Sequence, residues 1–229
     1  MIRLRYFICL LLIVMIAFLI YAKPYAATFT DMVHDPDNAK YLHVGEMGES
    51  GAKTQTQLIS ELLKDAPYIF RIRVTQDTKY RSHTGYLQAK VLQVFAGDEV
   101  KVGEDITIAS NNWCVTLDSP PKTIERRFVN LPKVGGEYLV FCSKKAIAAD
   151  ESMEAYILFS HEQCFISCIF GYEDREMIAV TPTSKYGTYV PYIEVINNEF
   201  FATSKEAMKI LVDFKHSLLE AYPSDGNVY

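Results

Sequence analysis

Between Tyr6 and Ala22 the chain runs 17 residues without a charge, and Phe7–Ile20 is made of Phe, Ile, Leu, Val and Met with one Ala and one Cys. Nothing in this stretch is polar enough to face water, and left exposed it would be an aggregation site. At 1.5 Å per residue, a helix of this length spans about 25 Å, close to a hydrocarbon core of roughly 30 Å. Arg3 and Arg5 precede it and only Lys23 follows closely. That bias keeps the N-terminus cytoplasmic and sends the rest of the chain outward. Signal cleavage needs small residues at −3 and −1, but near Ala26 and Ala27 the −3 position is Pro24 or Tyr25. The preferred reading is an uncleaved signal anchor over residues 1–27, a single-pass transmembrane helix with the bulk of the chain extracytoplasmic. A cleaved, secreted form is the alternative. Cys9 stands too early to be a lipoprotein acceptor.

Charge narrows the partners. Setting aside Arg3, Arg5 and Lys23, the chain's 23 basic residues fall to 20 against 28 acidic ones, a net of −8. An acidic domain is a poor match for a phosphate backbone, so no nucleic acid is expected. A hydrophobic content of 49% excludes disorder and requires a packed core.

Residues 28–55 read as a tether, mixing Asp, Pro, Asn, Gly and Ser without periodicity. Leu58, Ile59, Leu62 and Leu63 make one apolar stripe, which predicts a helix over Thr56–Lys64 stopped by Pro67. Strand patterns follow at Tyr68–Val74, Tyr86–Phe95, Ile106–Ile108, Glu137–Ser143, Ala155–Ser160 and Gln163–Tyr172, with weaker ones at Met177–Val180 and Thr188–Val195. The stretch Asn111–Val134 is irregular, and Ile124–Phe128 could supply a short helix there. Thr203 and Glu206 form a capping box. Met208, Leu211, Val212, Lys215, Leu218 and Leu219 then give a mostly apolar face that ends before Pro223. The expectation is one mainly β domain with flanking helices over 56–222: a barrel at about 56–160, an extension with a C-terminal helix at 161–222, and a tail at 223–229.

A family likeness rests on this order. A short helix leads into the strand Tyr68-Ile69-Phe70-Arg71-Ile72-Arg73-Val74. A second strand runs Lys90-Val91-Leu92-Gln93-Val94-Phe95 into Ala96-Gly97-Asp98. Then come Val102-Gly103-Glu104-Asp105-Ile106-Thr107-Ile108 and, later, Gly135-Gly136-Glu137-Tyr138-Leu139-Val140-Phe141. Over roughly Thr56–Ser160 this resembles the OB-fold barrel of netrin-like and tissue-inhibitor-of-metalloproteinase-like domains, particularly extracytoplasmic bacterial versions. The resemblance implies an OB-like antiparallel barrel and a binding role. The inhibitors of that family chelate a protease metal through a mature N-terminal cysteine, and no cysteine stands at the matching place here.

Outside the apolar segment lie Cys114, Cys142, Cys164 and Cys168. In an oxidising compartment four cysteines permit two disulfides. If Gln163–Phe170 is a strand, Cys164 and Cys168 sit about 13 Å apart at ~3.3 Å per residue, too far to bridge each other. The other reading is of buried apolar thiols. His161, Glu162, Cys164 and Cys168 lack the second knuckle of a structural zinc site, and neither a cofactor fingerprint nor a nucleophile motif is present. Binding candidates are Tyr186, Tyr189 and Tyr192, with Phe200 and Phe201 nearby, as an exposed aromatic surface, and Trp113, Arg126 and Arg127 in the long Asn111–Lys133 connection. Core filling is the competing account of the aromatics. Three functional readings follow: a non-catalytic binding domain on a membrane anchor for a protein, peptide or glycan partner, a structural subunit of an envelope assembly, or a thiol-dependent enzyme.

Overall fold

Tyr68–Val74 (β2) is buried along almost its whole length, as its mix of Ile, Phe and Val requires of a strand covered on both faces. Its neighbours are two long strands, Thr84–Ala96 (β4) and Glu137–Ile147 (β8), both antiparallel to it. Within the barrel each long strand serves two partners. The first half of β4 pairs with Asp105–Ser110 (β5), and the second half with β2 through two register shifts. Likewise β8 pairs with β2 through Glu137–Cys142 and with Glu154–Leu158 (β9) through Cys142–Ile147. Bulges bend a strand and increase its twist, which lets these two turn the corners of a barrel. Pairing of β5 with β9, Ile108 opposite Tyr156, closes the ring in the order β2-β4-β5-β9-β8.

The computed structural model describes residues 11–17, 43–81, 84–111, 114–116, 123–125, 128–147, 153–179 and 189–224. The remaining described strands are His43–Gly45 (β1), Lys79–Arg81 (β3), Cys114–Thr116 (β6), Thr123–Glu125 (β7), Ile169–Gly171 (β10) and Tyr189–Pro191 (β11). The helices are Glu49–Leu62 (α1), Tyr192–Val195 (α2) and Lys205–Ala221 (α3). β10 extends the barrel sheet at β8, and β3 pairs with β4. A small second sheet runs β11-β1-β7-β6.

The mainly β expectation, the closed barrel and the C-terminal helix all stand. Several details differ. The barrel is not wholly antiparallel, because β5 and β9 are parallel. α1 begins at Glu49, inside the stretch read as tether, because Gln55 and Thr56 are buried beside Ala52 and Ile59 and hide its inward face from a hydropathy pattern. The Gln163–Tyr172 strand shrinks to β10, preceded by a turn, and residues 177–179 form no strand. Within Thr188–Val195 a three-residue strand passes directly into α2. Ile124 sits in β7, not in a helix. The C-terminal helix is capped one residue later than the box suggests, with the Ser204 hydroxyl accepting from the Ala207 N–H at 3.0 Å.

Residues 11–17 are helical, and Leu11–Ile16 are all more than half exposed. Among the described residues no helix is long and apolar enough to cross a membrane. The rest of the Tyr6–Ala22 segment lies outside them.

On one face of the barrel sheet Phe70, Ile72, Leu87, Val91, Ile108 and Val140 are fully buried, and on the other face Leu139 and Phe141 are fully buried too. α3 lays Phe214 edge-on against Phe170 at 5.8 Å between ring centroids, and Tyr222 against Phe141 at 5.5 Å. Amid this apolar packing lies a buried ion pair, with Lys215 Nζ 2.8 Å from Glu199 Oε2. Glu199 Oε1 accepts from the Gly171 N–H at 2.6 Å, and Lys215 also donates to the Glu173 carbonyl at 3.0 Å. Removing one partner of such a pair leaves a buried charge uncompensated. E199Q removes the buried partner and leaves Lys215 only the largely exposed Asp174 carboxylate at 3.1 Å, so it is expected to cost about 3 kcal/mol in urea unfolding. E199Q/K215M should recover most of that, because Gln still accepts from Gly171 and no buried cation remains.

A second charged cluster spans β2 and β8. The Glu137 carboxylate accepts from Arg71 Nε at 2.9 Å and from Arg73 at 2.6 Å, and Arg71 is itself buried. Burial alone would raise the Glu137 pKa. The two guanidinium hydrogen bonds and charges outweigh it and hold the carboxyl below its ordinary 4.5. A depressed folded-state pKa gives stability that is present above the ordinary value and lost as pH falls through the folded one. Thermal midpoints should thus fall on acidification below about pH 4.5, and E137Q should remove that part of the slope.

Candidate ligand-binding cleft

At one end of the barrel, the turn from Lys133 to Glu137 leads into β8. Gly135 has φ +81°, a left-handed conformation that glycine adopts without strain. A Cβ on Gly136 would meet the Tyr138 ring at 2.9 Å, so glycine there lets the ring fold back over the turn. The Tyr138 oxygen then accepts from the Lys133 N–H at 2.8 Å and from the Arg175 guanidinium at 2.6 Å. Hydrogen bonds from Gly135 N to Val74 O at 2.9 Å and from Val74 N to Gly136 O at 3.0 Å tie the turn to the end of β2.

Two further walls come from the chain after β10 and from α2. Asn198 is buried, and its amide brackets Ile178 by accepting from the Ile178 N–H at 3.1 Å and donating to the Ile178 carbonyl at 2.6 Å. Asn130, also buried, donates to the carbonyls of Ile196 at 3.1 Å and Asn198 at 2.8 Å. These two side chains hold residues 175–178 and 192–198 where strand pairing does not.

Between the walls lies a cleft of about 760 Å³ lined by Lys133–Gly136, Glu173, Arg175, Glu176, Ile178, Glu194, Asn197 and Asn198. Val134 and Ile178 present apolar surface and are each about half exposed. Lys133 Nζ donates to the neutral Asn197 Oδ1 at 3.1 Å. Desolvation first, and the Arg175 charge second, lower the Lys133 pKa from 10.5. The described lining offers both signs of charge, amide hydrogen bonds and apolar contact. That combination suits orientation of a bound chain.

Of the residues singled out from sequence, Tyr192 is buried, its hydroxyl donating to Asn130 Oδ1 at 3.1 Å, and Phe200 and Phe201 are buried too. They fill the core and offer no exposed aromatic surface. Tyr189 lies on β11, opposite Gly45. Trp113, Arg126, Arg127 and Tyr186, and the side chains of Tyr189 and Cys114, lie outside the described residues. Cys142, Cys164 and Cys168 are buried thiols. Because the strand assumed for Gln163–Phe170 does not form, the 13 Å separation does not apply. Cys164 Sγ and Cys168 Sγ instead approach the same Ile166 carbonyl, at 3.6 and 3.8 Å. None of the three thiols lines the cleft described above.

The cleft residues escaped the sequence reading for a simple reason. Lys133 was only the end of a long connection. The usable signal was the Gly135-Gly136 pair before a strong strand. No protein-family model and no curated protein matches the chain.

Burial of the Cys142 thiol pushes its pKa far up, so it is neither accessible nor ionised near neutral pH. Maleimide added to the native chain should leave Cys142, Cys164 and Cys168 unmodified, and all three should react after denaturation under reducing conditions. Mass spectrometry reads the difference.

Proposed function

We propose that this chain is a membrane-anchored, extracytoplasmic, non-catalytic binding module, and that the cleft beside Gly135–Gly136 takes a short peptide segment. The observation that carries this reading is the cleft's lining: Lys133 and Arg175, three glutamates and two exposed aliphatic side chains in one concavity. A peptide brings charged groups, amides and apolar side chains together. A neutral glycan would call for stacking rings, and the described lining contains none. The ring order β2-β4-β5-β9-β8, with one parallel closing pair, supports an OB-type barrel related to netrin-like domains. Such barrels bind ligands through one face and its loops. Fold alone does not set function; the chemistry of the cleft lining points to a peptide.

The anchor part of the reading is motivated by the apolar run Tyr6–Ala22 with Arg3 and Arg5 before it. Protease added to cells stripped of wall or outer membrane should digest the domain and leave a small N-terminal membrane fragment. A full-length chain that resists until the membrane is ruptured would overturn the orientation.

A further inference from the structure

Two cations, Lys133 and Arg175, line the cleft. The Tyr138 oxygen accepts from both the Lys133 backbone and the Arg175 side chain, so the two residues are held close by a single atom. Among the described residues neither cation has a carboxylate within ion-pair distance, although Glu173, Glu176 and Glu194 line the same cleft. Those three side chains have no cationic partner among the described residues either. Glu173 and Glu176 flank Arg175 on the segment after β10 without pairing with it, whereas the other charges come from separate elements. Lys133 precedes β8, Arg175 follows β10, and Glu194 sits on α2.

We infer that Lys133 and Arg175 form a subsite for a ligand carboxylate, and that Glu194, carried on α2, receives a cationic group of the same ligand. The cleft thereby selects a zwitterionic peptide. This rests on the peptide-cleft reading above and deepens it. A carboxylate between the two cations would relieve their mutual repulsion and could take a bidentate pair from Arg175. A purely anionic ligand, such as phosphate, would gain at Lys133 and Arg175 but meet repulsion from three carboxylates. The carboxylate can be a chain terminus or an acidic side chain, and the experiment separates them.

The full-length chain in detergent micelles is titrated at millimolar concentration with four probes, reading the backbone amide signals of Gly135, Gly136 and Asn198. The probes are tetra-alanine with free termini, tetra-alanine amide, a doubly capped tetrapeptide bearing one lysine and one aspartate side chain, and inorganic phosphate. The expected result is that free tetra-alanine or the side-chain zwitterion shifts these amides. Loss of its carboxylate should weaken binding about tenfold. R175Q and K133Q should each weaken the preferred probe by a similar factor, and K133Q guards against a folding defect in R175Q. Y138F should lower the preference for free acid over amide. Equal binding of tetra-alanine and its amide, with the side-chain zwitterion no tighter than either, overturns the carboxylate subsite but leaves the peptide cleft standing. Phosphate binding as tight as the peptide overturns the zwitterion preference. If no probe moves these amides, the inference and the cleft reading both fail.

Discussion

Lys215 and Glu199 are both almost wholly removed from water, and their contact organises everything outside the barrel. Charges at this depth are costly, and they persist only when each is fully hydrogen-bonded. The pair meets that condition by recruiting backbone. Glu199 takes the Gly171 N–H, and Lys215 takes the Glu173 carbonyl and lies 3.1 Å from Asp174. The α3 helix is thus locked to the end of β10, and both are locked to the segment before Phe200. That segment reaches the front of the chain as well, since Met47 N donates to the Phe201 carbonyl at 3.0 Å and Thr203 N to the Met47 carbonyl at 3.1 Å. One buried pair therefore joins the start, middle and end of the described chain.

The cleft is a by-product of this arrangement. A barrel strand satisfies its backbone through neighbours on both sides, but residues 173–178 leave β10 and run past the barrel end with no strand partner among the described residues. Buried backbone groups must still be satisfied. Here Asn198 supplies both a donor and an acceptor to Ile178, acting as a one-residue strand, while Asn130 does the same service for the turn after α2. Side-chain clamps fix the backbone without covering it. The space that a pairing strand would have filled stays open, and its rim carries whatever charges the two segments bear.

The barrel was legible in the sequence because its strands obey period-two or fully buried patterns, and β2, β4 and β8 were placed within a few residues of their true ends. What failed to show were elements whose form depends on distant polar partners. The first two turns of α1 were hidden by Gln55, whose amide holds residues 163–165 through bonds of 3.0 Å to the Gln163 carbonyl and 2.7 Å from the Phe165 N–H. The same two bonds explain why Gln163–Cys168 forms a looped segment in place of the strand its apolar alternation suggested. Tyr192 was an aromatic like any other until Asn130, 62 residues away, gave its hydroxyl a buried acceptor. The parallel closure by β9 depends on the path of the intervening chain, which no local pattern carries.

The charge distribution follows the same logic. Glu137 satisfies Arg71 and Arg73 within the barrel wall, and Glu199 satisfies Lys215 beneath α3, so the deeply placed charges are balanced. Lys133 and Arg175 differ. Their hydrogen bonds go to neutral oxygens, those of Asn197 and Tyr138, and desolvation, with the Arg175 charge second, lowers the Lys133 pKa. Folding alone gains little from placing two cations together with only neutral acceptors. In water the repulsion is small, about 1 kcal/mol at 4 Å, which folding tolerates. In a cleft that excludes water on binding, the same field becomes several times stronger. The feature that is a minor cost to the empty protein is then the one that distinguishes a ligand with a carboxylate from one without.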